Sequence, residues 1–272
     1  MARIAFLQVD AFAERTFEGN PAAVCPLDDW LPDDMLQAIA QENNLSETAF
    51  FVPAKGDEDG DFHLRWFTPA REVELCGHAT LAAGHAILSN LRGRGEAVRF
   101  SSRSGMLTVS RDGGKLSLDF PARPPSPASG EVDALLAALG APAVEAYLGG
   151  GRDYMLVFET AAAIEALAPD FTALKRCHSP YNFIATAPGE DCDVVSRYFA
   201  PAYGIDEDPV TGSAHCVLGP YWATRLNKSD LTARQLSPRG GKLWLRVEDE
   251  RVHIAGHCVE VIAGEMTIPD LD

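Results

Sequence analysis

The chain repeats itself, and this repeat limits the possible folds more than any other feature of the sequence. Five short segments recur in the same order, and the offset between the two copies drifts only from 132 to 137 residues. Trp-Phe-Thr-Pro-Ala at 66–70 returns as Tyr-Phe-Ala-Pro-Ala at 198–202, and Gly-His-Ala at 77–79 returns as Gly-Ser-Ala at 212–214. Chance could produce one such match, but five matches in the same order are not easily produced by chance. The sequence therefore predicts two copies of one supersecondary unit.

Each copy is expected to contain the same elements in the same order. The first copy has predicted strands at 4–9, 48–52, 62–66, 106–110 and 115–120, with helices at 33–41 and 79–91. The second has strands at 154–158, 183–186, 242–247 and 251–254, with helices at 170–176 and 214–226. The long helix of each copy is apolar on nearly all sides, which is typical of a buried helix. We predict an α+β fold of two pseudo-symmetric lobes, each a curled, mostly antiparallel sheet around a central helix.

The two copies meet at a proline-rich segment. Residues 121–130 contain four prolines, which predict a linker without regular structure. The expected boundaries are 1–120 for the first lobe and 131–258 for the second. A cleft between two such lobes is where ligands usually bind. Pro-Asp pairs at 32–33 and 169–170 suit the start of a helix in each copy.

The net charge narrows the range of binding partners. With 39 acidic and 23 basic residues the chain carries 16 net negative charges, which disfavours nucleic acid and anionic membranes as partners. No apolar run approaches the ~20 residues of a membrane span. The six cysteines form no Cys-x-x-Cys pair and no signal peptide is evident, so we expect reduced thiols and a cytoplasmic protein.

The two central helices are expected to begin at equivalent places in the two copies, next to Gly77 and Gly212. A helix N-terminus offers unpaired backbone N–H groups and a partial positive charge, and glycine lets a ligand approach them. Two such ends facing one cleft would hold a carboxylate in spite of the acidic surface. The alternative interpretation is ordinary capping of the two helices.

Glu47 is the candidate acid/base, since it lies between a helix and the apolar strand that contains Phe50 and Phe51. Partial desolvation there would raise the pKa of its carboxyl group. Its counterpart in the second copy is Asn182, so only one copy carries an ionisable group at this place. A surface or capping role for Glu47 is the competing interpretation.

Cys76, at the start of the first central helix, is a candidate nucleophile or base, because a helix N-terminus lowers the pKa of a thiol. Its counterpart is Thr211, whereas a two-thiol racemase needs both thiols. A small buried residue is the alternative. His78 and His85 lack a third ligand at metal spacing, so no metal is expected. No phosphate-binding glycine motif appears, so no nucleotide cofactor is expected either.

The chain resembles the PhzF-like family of phenazine-biosynthesis isomerases and their relatives over nearly its whole length. The matching segments are Gly-Asn-Pro-Ala-Ala-Val at 19–24, Ser-Glu-Thr-Ala-Phe at 46–50, Phe-Thr-Pro at 67–69, Cys-Gly-His-Ala-Thr at 76–80, Phe-Ala-Pro at 199–201, Asp-Pro-Val-Thr-Gly-Ser-Ala at 208–214 and Arg-Gly-Gly at 239–241. The resemblance implies the diaminopimelate-epimerase-like fold, a homodimer, and a last strand at about 259–272 that packs back on the first lobe.

Carried over by position, the resemblance implies that Glu47 is the acid/base and that His78 and Asp208 assist it. Gly77, Gly212 and Ser213 are implied to cradle the carboxylate of a small substrate. We include Cys76, Asn20 and Ser46 among the candidate substrate-binding residues. The family reaction is a cofactor-free isomerisation in which one carboxyl group moves a proton between ring carbons, in agreement with a single base in one copy.

The Cys-Gly-His-Ala-Thr segment differs from the phenazine enzymes, so the substrate stays open. Two alternatives remain beside the cofactor-independent isomerase. One is a thiol-dependent amino-acid racemase or epimerase that uses Cys76. The other is a non-catalytic relative that binds a ligand or a protein.

Overall fold

The computed structural model describes residues 1–56, 59–91, 95–128, 132–151, 153–177 and 181–270. The chain forms two compact units. Unit 1 consists of Met1–Asp119 together with Ala255–Asp272, and unit 2 of Phe120–Ile254. Each unit combines a mixed sheet with few helices, so the predicted α+β class is confirmed.

Most strands of unit 1 come from the N-terminal part of the chain. Its elements are β1 (Ala2–Ala11), β2 (Asn20–Pro26), α1 (Asp33–Asn43), β3 (Glu47–Pro53), β4 (Phe62–Phe67), β5 (Glu72–Val73), α2 (Gly77–His85), β6 (Ala97–Ser102), β7 (Gly105–Asp112) and β8 (Lys115–Pro121). Neighbouring strands pair antiparallel except for β2 with β3 and β4 with β6, which are parallel.

Unit 2 follows the same plan. Its elements are β9 (Ser126–Pro127), α3 (Asp133–Leu139), β10 (Glu145–Gly149), β11 (Asp153–Val157), α4 (Ala161–Glu165), α5 (Phe171–Arg176), β12 (Asn182–Pro188), β13 (Val194–Ala200), β14 (Ile205–Asp208), α6 (Gly212–Leu226), β15 (Asp230–Gln235), β16 (Gly241–Glu248) and β17 (Arg251–Gly256). The last strand of the chain, β18 (Cys258–Ile268), returns to unit 1 and pairs antiparallel with β1.

The two copies found in the sequence pair their strands in the same pattern. In unit 2, β11 is parallel to β12 and β13 is parallel to β15, and these are the equivalents of the two parallel pairs of unit 1. The remaining pairs from β10 to β16 are antiparallel, again as in unit 1. The prediction of two copies of one unit is confirmed, and β12 and α6 are the equivalents of β3 and α2.

The central helices are buried, as their apolar sequences predict. Every residue from His78 to Gly84 in α2 is buried, and α6 buries a continuous run from Ala214 to Gly219. Glycine permits close packing against the sheet: a Cβ atom on Gly84 would lie 2.5 Å from Val109 of β7. No helix in the described part of the chain is long and apolar enough to cross a membrane.

Several local predictions need correction. Proline does not exclude pairing at an edge, and Ser126 and Pro127 of the predicted linker pair with β10. Residues 129 and 130 of that linker, and 271 and 272 of the predicted last strand, lie outside the described residues.

The predicted helix starts are confirmed in part. Helix α1 begins at Asp33, as predicted, and the Asp33 carboxylate lies 2.9 Å from Arg65. Asp170 is the N-cap of α5 and accepts the Ala173 N–H, so this helix begins one residue later than predicted, at Phe171. The helix predicted at 79–91 begins earlier, at Gly77, and changes from α to π geometry at Ala86–Leu91.

Candidate active site

Both central helices begin without a side-chain cap. The N-cap residues, Cys76 of α2 and Thr211 of α6, are extended, and neither side chain accepts a hydrogen bond from the helix. The first backbone N–H groups of a helix have no partner inside the helix. Capping by the N-cap side chain, the alternative weighed for these motifs, is therefore wrong at both helix starts. Each start presents N–H groups and the positive end of the helix dipole.

Glu47 lies next to the start of α2. It is the first residue of β3, and its carboxylate Oε2 is 3.4 Å from His78 Nε2. The Glu47 side chain is 15% exposed and that of His78 is 8% exposed, so water is largely excluded from the pair. A free surface position for Glu47 is thus inconsistent with the structure. Because side chains alternate along a strand, Glu47 shares a face with Phe51, while Phe50 packs in the core beneath α1.

Cys76 completes a three-residue cluster. Its Sγ lies 3.4 Å from Nδ1 of His78, whereas Glu47 approaches the other ring nitrogen, Nε2. One donor atom from each of Glu47, Cys76 and His78 falls within 4.8 Å of the others, a spacing compatible with a metal ion. His85 is not part of this group. It follows His78 by about two helical turns, and its Nδ1 lies 3.3 Å from Ser89 Oγ.

Burial sets the protonation state of His78. Desolvation lowers the pKa of His78 to about 4, and the nearby Pro21 carbonyl opposes this shift. The ring is therefore neutral at pH 7 and has one N–H donor and one bare nitrogen. If the thiol donates its S–H to Nδ1, the remaining N–H is at Nε2 and faces the Glu47 carboxylate.

The start of α6 is held by a hydrogen-bond network that the sequence did not predict. The Thr211 hydroxyl donates to the Asp208 carboxylate. Gln235 of β15 accepts the Thr211 N–H at 2.8 Å and donates to the Asp208 carbonyl, also at 2.8 Å. His215 Nδ1 donates to the Thr211 carbonyl at 2.8 Å. This network fixes the backbone on which Asp208 and Ser213 lie.

Gln235 could have been found from the alternation of β15. Leu231 and Ala233 precede it on the buried face of the strand, where an apolar residue is expected, and Gln235 is only 1% exposed. A polar side chain in such a position needs internal partners. A polar residue at a buried position of this alternating pattern was the signal that could have identified Gln235.

The counterpart of Glu47 is Asn182, as the repeat predicts, and each is the first residue of its strand. Asn182 does not stand alone, however. It donates to the buried carboxylate of Asp153 at 2.9 Å, and the Tyr198 hydroxyl donates to the same oxygen at 3.1 Å. Unit 2 therefore also has a carboxylate at this level, on the neighbouring strand, where unit 1 has Ala22.

The remaining candidate residues lie at or next to the starts of strands and helices. Asn20 is the first residue of β2 and is fully buried, and Ser46 directly precedes Glu47. Gly77 and Gly212 are the first residues of α2 and α6, and Ser213 follows Gly212. The structure thus brings Glu47, Cys76 and His78 together within unit 1, and Asp208, Thr211 and Gln235 together within unit 2.

Comparison with known proteins identifies the family. The profile described as phenazine biosynthesis-like protein (PhzC-PhzF) matches residues 9–264. An uncharacterized isomerase of Pseudomonas aeruginosa is 52% identical over 98% of this chain and 99% of its own length. A PhzF-family phenazine biosynthesis protein from Enterococcus faecalis is 44% identical, with a TM-score of 0.92 over 98% of this chain and 100% of the other.

A more distant likeness concerns the fold alone. A hydroxyproline epimerase from Agrobacterium vitis shares 12% identity at a TM-score of 0.61, over 98% of this chain and 93% of that one. This agrees with the predicted diaminopimelate-epimerase-like fold. The chain therefore belongs to the phenazine biosynthesis-like (PhzC-PhzF) family of isomerases.

Proposed function

We propose that this isomerase works without a cofactor, by moving a proton within a small carboxylic acid, with Glu47 as the acid/base. The observation that carries the proposal is the contact of Glu47 with a neutral, buried histidine beside an uncapped helix start. A carboxylate in a largely dry site is a stronger base than one in water. His78 supplies the polar partner that Glu47 needs in such a site.

On this proposal the substrate carboxylate is bound by backbone N–H groups at the start of α2, next to Glu47. These fixed dipoles stabilise the negative charge that spreads onto the carboxylate when Glu47 removes a proton from a nearby carbon. Glu47, now protonated, returns the proton to another carbon of the same molecule. One carboxyl group thus serves as base and then as acid.

We assign the supporting roles from the family resemblance and from the local geometry. His78 directs its Nε2 toward Glu47 and assists the proton transfer. The roles of Asp208 and Ser213 as substrate contacts rest on the family resemblance alone, and Gln235 donates a hydrogen bond to the Asp208 carbonyl. The proposal includes a cytoplasmic homodimer, and the state of the six cysteines, all free thiols, agrees with a reducing compartment.

Hydrogen exchange in heavy water tests this function. A panel of dihydroaromatic and enoic acids is incubated with the enzyme, and deuterium uptake at carbon is followed by NMR. We expect the wild type to label at least one acid, and Glu47→Gln to lower the rate by about 10²–10⁴-fold. Glu42→Gln, on the exposed side of α1, is the matched control and should match the wild type. Equal rates for wild type and Glu47→Gln would refute the proposal.

The contact between Cys76 and His78 keeps a second candidate open, a thiol-dependent racemase or epimerase of amino acids. In that mechanism the Cys76 thiolate removes the proton, and His78 Nδ1 accepts the thiol proton. Amino acids labelled at Cα distinguish the two. Cys76→Ala should abolish exchange at Cα if the thiol is the base, and should leave exchange intact if Glu47 is.

A further inference from the structure

We propose that Glu47, Cys76 and His78 form a binding site for Zn²⁺. The site lies within unit 1 and does not depend on any role of Glu47 in proton transfer. It uses three donors that zinc accepts in proteins: a thiolate, an imidazole nitrogen and a carboxylate oxygen.

The spacing of the donor atoms suits a zinc ion. Zn–S bonds of about 2.3 Å and Zn–N and Zn–O bonds of about 2.0–2.2 Å place the ligand atoms of a tetrahedral site roughly 3.3–3.7 Å apart. The Oε2 of Glu47 is 3.4 Å from His78 Nε2, inside this range. One donor atom from each of the three residues lies within 4.8 Å of the others, so small side-chain rotations would bring all three donors to one ion.

His78 provides an independent indication of a ligand. Its side chain is 8% exposed, and its Nε2 lies 3.4 Å from the Glu47 carboxylate without making a hydrogen bond to any described residue. A buried polar atom without a partner is rare and costs free energy. A zinc ion bound through this ring would use a nitrogen lone pair, and the neutral form of His78 is the form that ligates metals.

The charges and the supporting elements also favour a cation. A thiolate and a carboxylate together balance the charge of Zn²⁺, so the loaded site is electrically neutral in its buried surroundings. Cys76 and His78 are fixed at the start of α2, and Glu47 at the start of β3. The thiolate selects zinc over magnesium and calcium, which require oxygen ligands.

Three protein ligands leave a fourth position for water. Zinc bound here would occupy the carboxylate that the proposed isomerisation uses as its base. We therefore expect zinc to inhibit any reaction that depends on Glu47.

Titration of the metal-free protein with Co²⁺ tests the site, because a cobalt–thiolate bond gives a charge-transfer absorption band in the near ultraviolet. Wild type should bind one Co²⁺, show this band, and release the metal when Zn²⁺ is added. Cys76→Ser should lose the band, and Glu47→Gln and His78→Asn should weaken Zn²⁺ binding by about tenfold or more in competition with a chelator. Circular dichroism is used to check that each variant is folded.

Cys258→Ser is the matched control. Cys258 is another poorly exposed thiol of unit 1, whose Sγ lies 3.9 Å from the Leu81 carbonyl and which belongs to no group of metal-ligating side chains among the described residues. This variant should keep the cobalt band and the zinc affinity of the wild type. A wild-type protein without the band, or a band that survives in Cys76→Ser, would overturn the proposal. Neither result bears on proton exchange by Glu47, which is measured without metal.

Discussion

Acid should destabilise the protein through the buried histidines His78 and His215, and His215 offers the cleaner test. Its side chain is 0% exposed, and desolvation lowers its pKa from 6.5 to about 4, partly opposed by the Thr211 carbonyl. Since a carbonyl only accepts hydrogen bonds, Nδ1 carries the proton and donates to it. His215 Nε2 is left without a partner among the described residues. Protonation would therefore place a charge in a dry environment.

The size and direction of the effect follow from linkage. A proton binds the unfolded chain with a pKa of 6.5 and the folded chain with a pKa of about 4. Below pH 6.5 the unfolded state takes up the proton, so the contribution to stability is fully present above that pH and is lost as the pH falls toward 4. The loss is about 1.4 kcal/mol per pH unit and reaches roughly 3 kcal/mol in total.

His215→Asn isolates this contribution, since the asparagine amide nitrogen occupies the place of Nδ1 and keeps the bond to Thr211. The free energy of unfolding is measured with urea between pH 7 and pH 4.5 for both proteins. The wild type should lose stability relative to the variant by about 1.4 kcal/mol per pH unit below pH 6. Parallel curves for the two proteins would show that His215 is not held neutral by burial, and would refute the reasoning.

Two further predictions concern packing and the α6 start. Gly84→Ala should lower the free energy of unfolding by about 1–3 kcal/mol, because the new Cβ would lie 2.5 Å from Val109. Gly264→Ala is the control and should have little effect, because no atom lies within 4 Å of its new Cβ. Urea denaturation measures both variants, and equal stabilities would contradict the close contact at Gly84. Gln235→Leu should lower the free energy of unfolding by about 1–3 kcal/mol for each buried polar group that it leaves without a partner, and the Thr211 N–H is one such group. An unchanged unfolding midpoint would show that this network does not stabilise the start of α6.

The repeat made much of this fold predictable, because each copy confirms the other. Gly77 and Gly212 lie at equivalent helix starts, and Glu47 and Asn182 at equivalent strand starts, as the spacing of the two copies indicated. The Pro-Asp pair also located the start of α1 at Asp33. It gave no sign that the Asp33 carboxylate is paired with Arg65 of a neighbouring strand.

Features without a counterpart in the other copy could not be read from the repeat. Asp153 stands where the first copy has Ala22, so comparing the copies gave no reason to look for a second carboxylate. The approach of Glu47 to His78 joins residues 31 positions apart in the chain through the packing of β3 on α2, which no local pattern records. Tertiary contacts of this kind decide the chemistry of the site.

The central claim is that Glu47 carries a proton from one carbon of the substrate to another, and isotope transfer tests it most directly. An acid found to isomerise is labelled with deuterium at the carbon that loses its proton and is converted in ordinary water. We predict that the wild type returns part of the label to the second carbon of the same molecule, and that Glu47→Gln loses about 10²–10⁴-fold in turnover. Turnover and label transfer that are the same in Glu47→Gln as in the wild type would contradict the claim.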